Sequence, residues 1–129
     1  MNFREVEMYR PYPNEFPEAL LLEAGADEAC LNLWLAAEMV RIAKIADQIV
    51  GCYAMDRSED LEFCLHGVVI APAHRKRGLG RWVVGHAIGV AESKGARHLR
   101  LSQLGGSRCF ERMGFVRDGA GARFDLIPE

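Results

Sequence analysis

The segment Arg75-Lys76-Arg77-Gly78-Leu79-Gly80-Arg81 combines residue types that bind anions. It joins the apolar run 68–71 and Pro72 to an amphipathic stretch that starts near Leu79. A helix start leaves its first backbone N–H groups unpaired and carries partial positive charge. Glycines there let the backbone approach a ligand with no Cβ in the way. Arg75, Lys76, Arg77 and Arg81 add formal charge around those donors, which suits a pyrophosphate. The alternative is a solvated basic turn. A Walker A loop is excluded, because Gly-Lys-Ser/Thr is missing, and so is the dinucleotide fingerprint, because Val83 stands at its third glycine position.

A second group of residues lies just upstream. Glu62, Cys64 and His66 alternate along an apolar stretch, as side chains on one face of a strand do. Imidazole ordinarily titrates near about 6.5, so His66 is a candidate general base, the alternative being a histidine packed in its strand. Val68 follows two residues later, and strict alternation would put it in a position related to that of His66. Cys64 would need a basic partner to become a nucleophile, and the sequence fixes none. His86 falls on an apolar helical stripe and should be packed. His74 sits in the loop, and His98 should face solvent or a strand neighbour. Cys30, Cys52, Cys64 and Cys109 include no Cys-x-x-Cys pair, which favours reduced thiols over disulfides or zinc, so no metal site is expected.

The elements that would position these residues follow from periodicity. Residues 4–10 alternate as a first strand, and Asn14 is a candidate N-cap for a helix over 15–24 that Gly25 ends. Asp27 caps a second helix carrying Cys30, Leu31, Trp34 and Leu35. Residues 39–46 and 49–55 form a hairpin through Asp47-Gln48. The polar cluster 56–60 turns the chain into a longer strand, 61–71. A helix over 79–94 has Leu79, Trp82, Val83, Ala87, Val90 and Ala91 on one stripe and stops at Gly95. The strand 97–102 then completes a βαβ unit, so it should run parallel to 61–71. A short helix near 107–113 and a hairpin of 115–118 with 122–127 close the order β-α-α-β-β-β-α-β-α-β-β.

Composition bounds what such a chain can do. Its 129 residues suit one domain, 1–129, and 50% apolar with 26% charged residues is ordinary for a soluble protein. A net charge of −2 argues against a nucleic-acid partner, and no apolar run reaches the ~18 residues of a membrane span. The first residues lack a signal-peptide layout, so the expected location is cytoplasmic. The expected state is monomer or homodimer.

Three motifs resemble the GNAT superfamily of N-acetyltransferases. They are Ile49-Val50-Gly51; Val69-Ile70-Ala71-Pro72 with Arg75-x-x-Gly78-x-Gly80; and Phe110-Glu111-Arg112-Met113-Gly114-Phe115. The resemblance spans about residues 39–127. It implies an α/β fold whose mixed, mostly antiparallel central sheet contains a parallel splayed strand pair and has flanking helices. It also implies acetyl-CoA as cosubstrate and a small primary amine as acceptor, attacking directly in a ternary complex. By the same resemblance Arg75, Lys76, Arg77, Gly78, Leu79, Gly80 and Arg81 form the pyrophosphate loop. Val68 N–H polarises the acetyl carbonyl, Ile70 pairs with the pantetheine amide, and Val69 lies between them. Gln103 falls near the cofactor arm. The position of His66 resembles that of a catalytic histidine in the arylalkylamine branch. Glu62 either replaces a glutamate that relatives carry at the position of Cys64 or lies on the surface. Glu62, Asp118 and Asp125 could offer negative charge to a cationic amine. One departure stands out: Phe110 occupies the place of a tyrosine that protonates the leaving thiolate. Cys109 or Ser107 could stand in for it. The alternative that this raises is an acetyl-CoA-binding regulatory module with weak or no catalysis.

Overall fold

The computed structural model of the protein describes residues 3–75, 77–101, 113–119 and 121–126. In chain order its elements are β1 (Glu7–Tyr9), α1 (Glu18–Glu23), α2 (Glu28–Ala36), β2 (Met39–Ile45), β3 (Gln48–Glu59), β4 (Glu62–Ile70), α3 (Leu79–Ser93), β5 (His98–Leu101), β6 (Val116–Asp118) and β7 (Gly121–Asp125). Among the described residues the strands form one sheet in the order β1-β2-β3-β4-β5-β7-β6. The β4–β5 pair is parallel and the other neighbours are antiparallel. This is the mixed sheet that the order of elements implied. The parallel ladder runs from Glu62↔His98 to Leu65↔Leu101, while β4 itself continues to Ile70.

Helices cover both faces of the sheet. On one face α3 buries Leu79, Val83, Val84, Ala87 and Ala91 against Tyr53, Phe63, Leu65, Leu99 and Leu101. Full burial of a large aliphatic side chain contributes about 1.5–3 kcal/mol. Leu79, with no exposed surface, therefore anchors the first turn of α3 beside the end of β4. On the other face Leu21 of α1 and Trp34 of α2 pack on Ile42, Cys52 and Ala54.

Several local expectations need correction. Asn14 caps no helix: Pro13–Glu15 form a single 3-10 turn, and α1 starts only at Glu18. Proline disfavours helical backbone at the residue before it, and Phe16 is extended at φ -55 and ψ 130, so Pro17 prevents a helix over 15–24. Asp27 does cap α2, its side chain accepting the Cys30 N–H at 2.8 Å. The β2–β3 turn sits one residue earlier than expected, at Ala46 (φ 48) and Asp47 (φ 68), and Gln48 already belongs to β3. The first strand is shorter than 4–10, because Phe3–Glu5 form a 3-10 turn. Most consequentially, residues 56–59 are not a turn. Asp56 pairs with Cys64, Arg57 with Phe63 and Glu59 with Glu62, so the chain reverses at Asp60-Leu61. The Arg57 guanidinium over the Phe63 ring, at 4.9 Å, lets a polar sequence extend the ladder beyond the core.

Candidate active site

The basic loop is built from the end of β4 outward. Ala71 N–H donates to Val50 O at 2.8 Å, and Pro72–His74 make one 3-10 turn. Arg75 then folds back, its Nε donating to Ile70 O at 3.0 Å, so this arginine braces the loop against the strand end. Gly78 is the N-cap of α3 with φ 83 and ψ 0, a left-handed conformation. The first bond into the helix runs from Trp82 N–H to Gly78 O, at 3.1 Å. The N–H groups of Leu79, Gly80 and Arg81 thus precede the helical ladder, as the donors of an anion site must. Arg77 and Arg81 are exposed beside them. A Cβ on Gly80 would meet only Ile70 Cγ1, at 3.7 Å, so this turn sits over the end of β4.

Four residues upstream β4 carries a β-bulge. Ala54 pairs with Gly67 and Met55 with Leu65, which leaves His66 as the extra residue. The extra residue reverses the facing of everything after it. Phe63, Leu65, Val68 and Ile70 pack on the α3 side, whereas Gly67 faces Trp34 and Val69 packs with the α1–α2 layer. The expected common facing of His66 and Val68 is therefore overturned by the bulge.

The His66 side chain is 13% exposed and held at both ring nitrogens. Its Nε2 lies 2.8 Å from Asp56 Oδ2, and its Nδ1 lies 3.9 Å from Cys64 Sγ. Asp56 Oδ1 in turn accepts the Glu38 backbone N–H at 2.7 Å. Burial pushes the Cys64 thiol above its ordinary range, with the Glu62 and Asp56 charges adding and Arg100 opposing. Cys64 is thus a protonated thiol rather than a ready nucleophile. Glu62, at the far end of the same strand face, is engaged elsewhere: Arg100 Nε and Ser58 Oγ both donate to its Oε1, at 3.2 and 3.1 Å.

His66, Gly67, Val68 and Val69 form one wall of a cavity of about 520 Å³ whose other walls come from α1 and α2. Leu21, Cys30, Leu33 and Trp34 supply its apolar surface, polar atoms supply nearly as much, and Asp27 is the acidic residue among its described lining. Gly67 admits the indole: a Cβ there would touch Trp34 Cζ2 at 3.4 Å. The cavity and the basic loop lie at successive stations of a single strand.

The sequence matches the acetyltransferase (GNAT) family over residues 4–115. The chain belongs to that family. Among curated proteins, none matches it. Solved structures of similar fold include a GNAT family acetyltransferase from Elizabethkingia anophelis with acetyl-CoA bound, at TM-score 0.81 and 16% identity, over 95% of this chain and 99% of that one. A GNAT family acetyltransferase from Brucella melitensis in complex with acetyl-CoA gives 0.72 and 18%, over 96% and 90%. An IAA acetyltransferase from Bacillus cereus gives 0.79 and 17%, over 94% and 99%. At these identities the likeness is one of fold.

Within this acetyltransferase the expected site residues separate into groups. Val68, Val69, Ile70, Arg75, Arg77, Gly78, Leu79, Gly80 and Arg81 lie together along β4, the loop and the first turn of α3. His66 opens on the cavity, whereas Glu62 is tied into the Arg100 pair. Lys76, Gln103, Ser107, Cys109 and Phe110 lie outside the described residues. Asp125 is on β7, where it pairs with His98 and Arg123. His86, on α3, faces β3, its Nδ1 2.9 Å from Tyr53 Oη. Burial pushes Tyr53 up to about 12, so the phenol keeps its proton and donates to a neutral imidazole. Asp56 and Glu38 were missed. The signal for Asp56 was the unbroken alternation Cys52, Ala54, Asp56, masked by the polar residues around it. No helix among the described residues is long and apolar enough to cross a membrane.

Proposed function

We propose that this acetyltransferase moves the acetyl group of acetyl-CoA to a small primary amine by direct attack in a ternary complex. The observation that supports this reading is the sharing of β4: a basic loop leading into a helix N-terminus begins at its end, and a cavity with an imidazole in its wall lies four residues upstream, about 13 Å along a strand. Acetyl-CoA supplies an activated acyl carbon and a thiolate leaving group.

The chain's residues divide the work. The N–H groups of Leu79, Gly80 and Arg81, with Gly78 shaping the turn, hold the pyrophosphate; Lys76, Arg77 and Arg81 supply charge. Ile70 and Val69 align the pantetheine arm, and Val68 N–H donates to the acetyl oxygen as negative charge develops there. His66 removes a proton from the ammonium form of the acceptor. The neutral amine nitrogen then bonds to the acyl carbon, the C–S bond breaks, the thiolate leaves with the electron pair, and the proton that the nitrogen sheds on becoming an amide passes through water to the thiolate. Proton removal falls to His66 rather than Glu62, because Glu62 is occupied by Arg100 and Ser58. The cavity, about 520 Å³ with apolar and polar surface in near-equal parts, suits a small amine.

The rival, an acetyl-CoA-binding regulator, is motivated by Phe110 at the position of the usual acid. Calorimetric titration with acetyl-CoA, followed by a mass-spectrometric screen of primary amines for gain of one acetyl group, separates the two. Binding with turnover that falls at least tenfold in His66→Gln is the expected result. Binding without any acetylated amine gives the regulator the lead, and absence of binding removes both.

A further inference from the structure

Asp56 accepts two hydrogen bonds, one from the Glu38 backbone N–H and one from His66. An ionised carboxylate only accepts, so His66 Nε2 must carry the hydrogen in its 2.8 Å contact with Asp56 Oδ2. In the neutral ring the lone pair then resides on Nδ1. The other carboxylate oxygen, Oδ1, is fixed by the Glu38 N–H at 2.7 Å, a backbone donor that rotation of a side chain cannot withdraw. The Asp56 group is therefore pinned at one oxygen and presented to the imidazole with the other.

Two features of the fold bring these atoms together. The ladder extends past the core, which places Asp56 on the strand position opposite Cys64. The bulge at His66 then swings its ring toward that neighbouring strand. Cys64 closes the arrangement on the Nδ1 side with a weak thiol contact at 3.9 Å, which a stronger ligand contact can displace.

We propose that Asp56 is a positioning residue that fixes the Nε2–H tautomer of His66 and leaves Nδ1 as its basic nitrogen. The proposal rests on the reading of His66 as the general base. Asp56→Asn tests it with unusual force. Because Oδ1 stays with the Glu38 N–H, the asparagine must turn its NH2 toward Nε2. That nitrogen becomes an acceptor, the ring proton moves to Nδ1, and both nitrogens are then engaged in the wrong sense.

The first measurement is ¹⁵N NMR of the histidine side chains, with His66 assigned by loss of its signals in His66→Gln. In the wild-type neutral ring the pyridine-type nitrogen should be Nδ1; in Asp56→Asn it should be Nε2. The same tautomer in both proteins overturns the proposal. The second measurement is turnover of acetyl-CoA with a primary amine returned by the acceptor screen. Asp56→Asn should lower kcat by about 10²–10⁴-fold, with the KM for acetyl-CoA unchanged. Asp56→Ala, which forces no tautomer, should be no worse than Asp56→Asn. A merely structural role gives the opposite order, since asparagine keeps the shape and the Glu38 bond, and that order overturns the proposal. A tautomer that flips while kcat stays constant leaves the positioning role intact and instead removes His66 as the base.

Discussion

Replacing Gly78 with alanine tests the anion loop with a magnitude that the backbone supplies. At φ 83 and ψ 0 this residue is left-handed, where a Cβ costs roughly 1–2 kcal/mol. That strain must appear in one of two places. If packing of Leu79 holds the loop rigid, the folded state carries all of it. For a chain of this length 1–2 kcal/mol lowers the melting temperature by about 3–10 °C. If the loop relaxes when empty, the strain is met only on forming the donor cluster for the pyrophosphate. Acetyl-CoA then binds about 5–30-fold more weakly, at about 1.4 kcal/mol per tenfold. Thermal unfolding and calorimetric titration of one preparation read both quantities, and their sum should reach 1–2 kcal/mol. Gly80→Ala is the control: its added methyl meets only Ile70 Cγ1 at 3.7 Å, in helical backbone. It should keep or slightly raise stability, since alanine is up to about 1 kcal/mol the better helix former. If neither quantity moves in Gly78→Ala, the left-handed cap plays no part in holding the cofactor and the loop assignment fails.

Burial, with the Arg41 charge adding, holds His86 below its ordinary value, so the folded chain binds this proton less readily than the unfolded one. Its contribution to stability is therefore complete above about 6.5 and is lost as pH falls through that value toward the depressed one. His86→Gln should flatten that part of the melting-temperature profile between about pH 8 and about pH 5, and an unchanged slope would assign the acid sensitivity elsewhere. Among the described thiols, Cys52 is pushed up to about 12 by burial and should resist iodoacetamide in the folded chain. Alkylation of Cys64, followed by peptide mass mapping, should keep accelerating beyond about pH 8.5. A plateau below that pH would reveal a thiolate stabilised by His66 and would reopen a covalent mechanism.

The parts of the fold legible in the sequence were those set by local chemistry. Gly78 and Gly95 marked the ends of α3 because each needs positive φ, and Asp27 marked the start of α2 through its cap. The parallel β4–β5 pair followed from strand–helix–strand order alone. What escaped were features decided by partners distant in sequence. The polar stretch from Asp56 to Glu59 has the composition of a turn, and only its pairing with residues 62–64 makes it strand. The bulge at His66 leaves no local mark, because a mismatch in count between two strands is visible only in their pairing. Pro17 was the exception, a local breaker whose effect on residues 15–24 was readable and was read wrongly.

That mismatch in count decides how the two halves of the site are coupled. With strict alternation from Phe63 onward, Val68 and Ile70 would share the face of Cys64 and leave the core under α3. Gly67 would then lie beneath α3, contributing nothing to its packing, and Trp34 would lose the gap that admits its ring. The extra residue instead keeps His66 toward Asp56 and the cavity, while Ile70 remains under Gly80 in the first turn of α3. The imidazole and the donor loop are thereby fixed to the same strand in opposite senses, one facing each layer of helices. The base proposed on one face and the anion cradle proposed at the strand's end share the residues between them. Those residues are Gly67, Val68 and Val69, which line the cavity next to His66. It is this stretch of backbone, rather than any side chain, that an acyl group held from the loop and an amine held in the cavity would have in common.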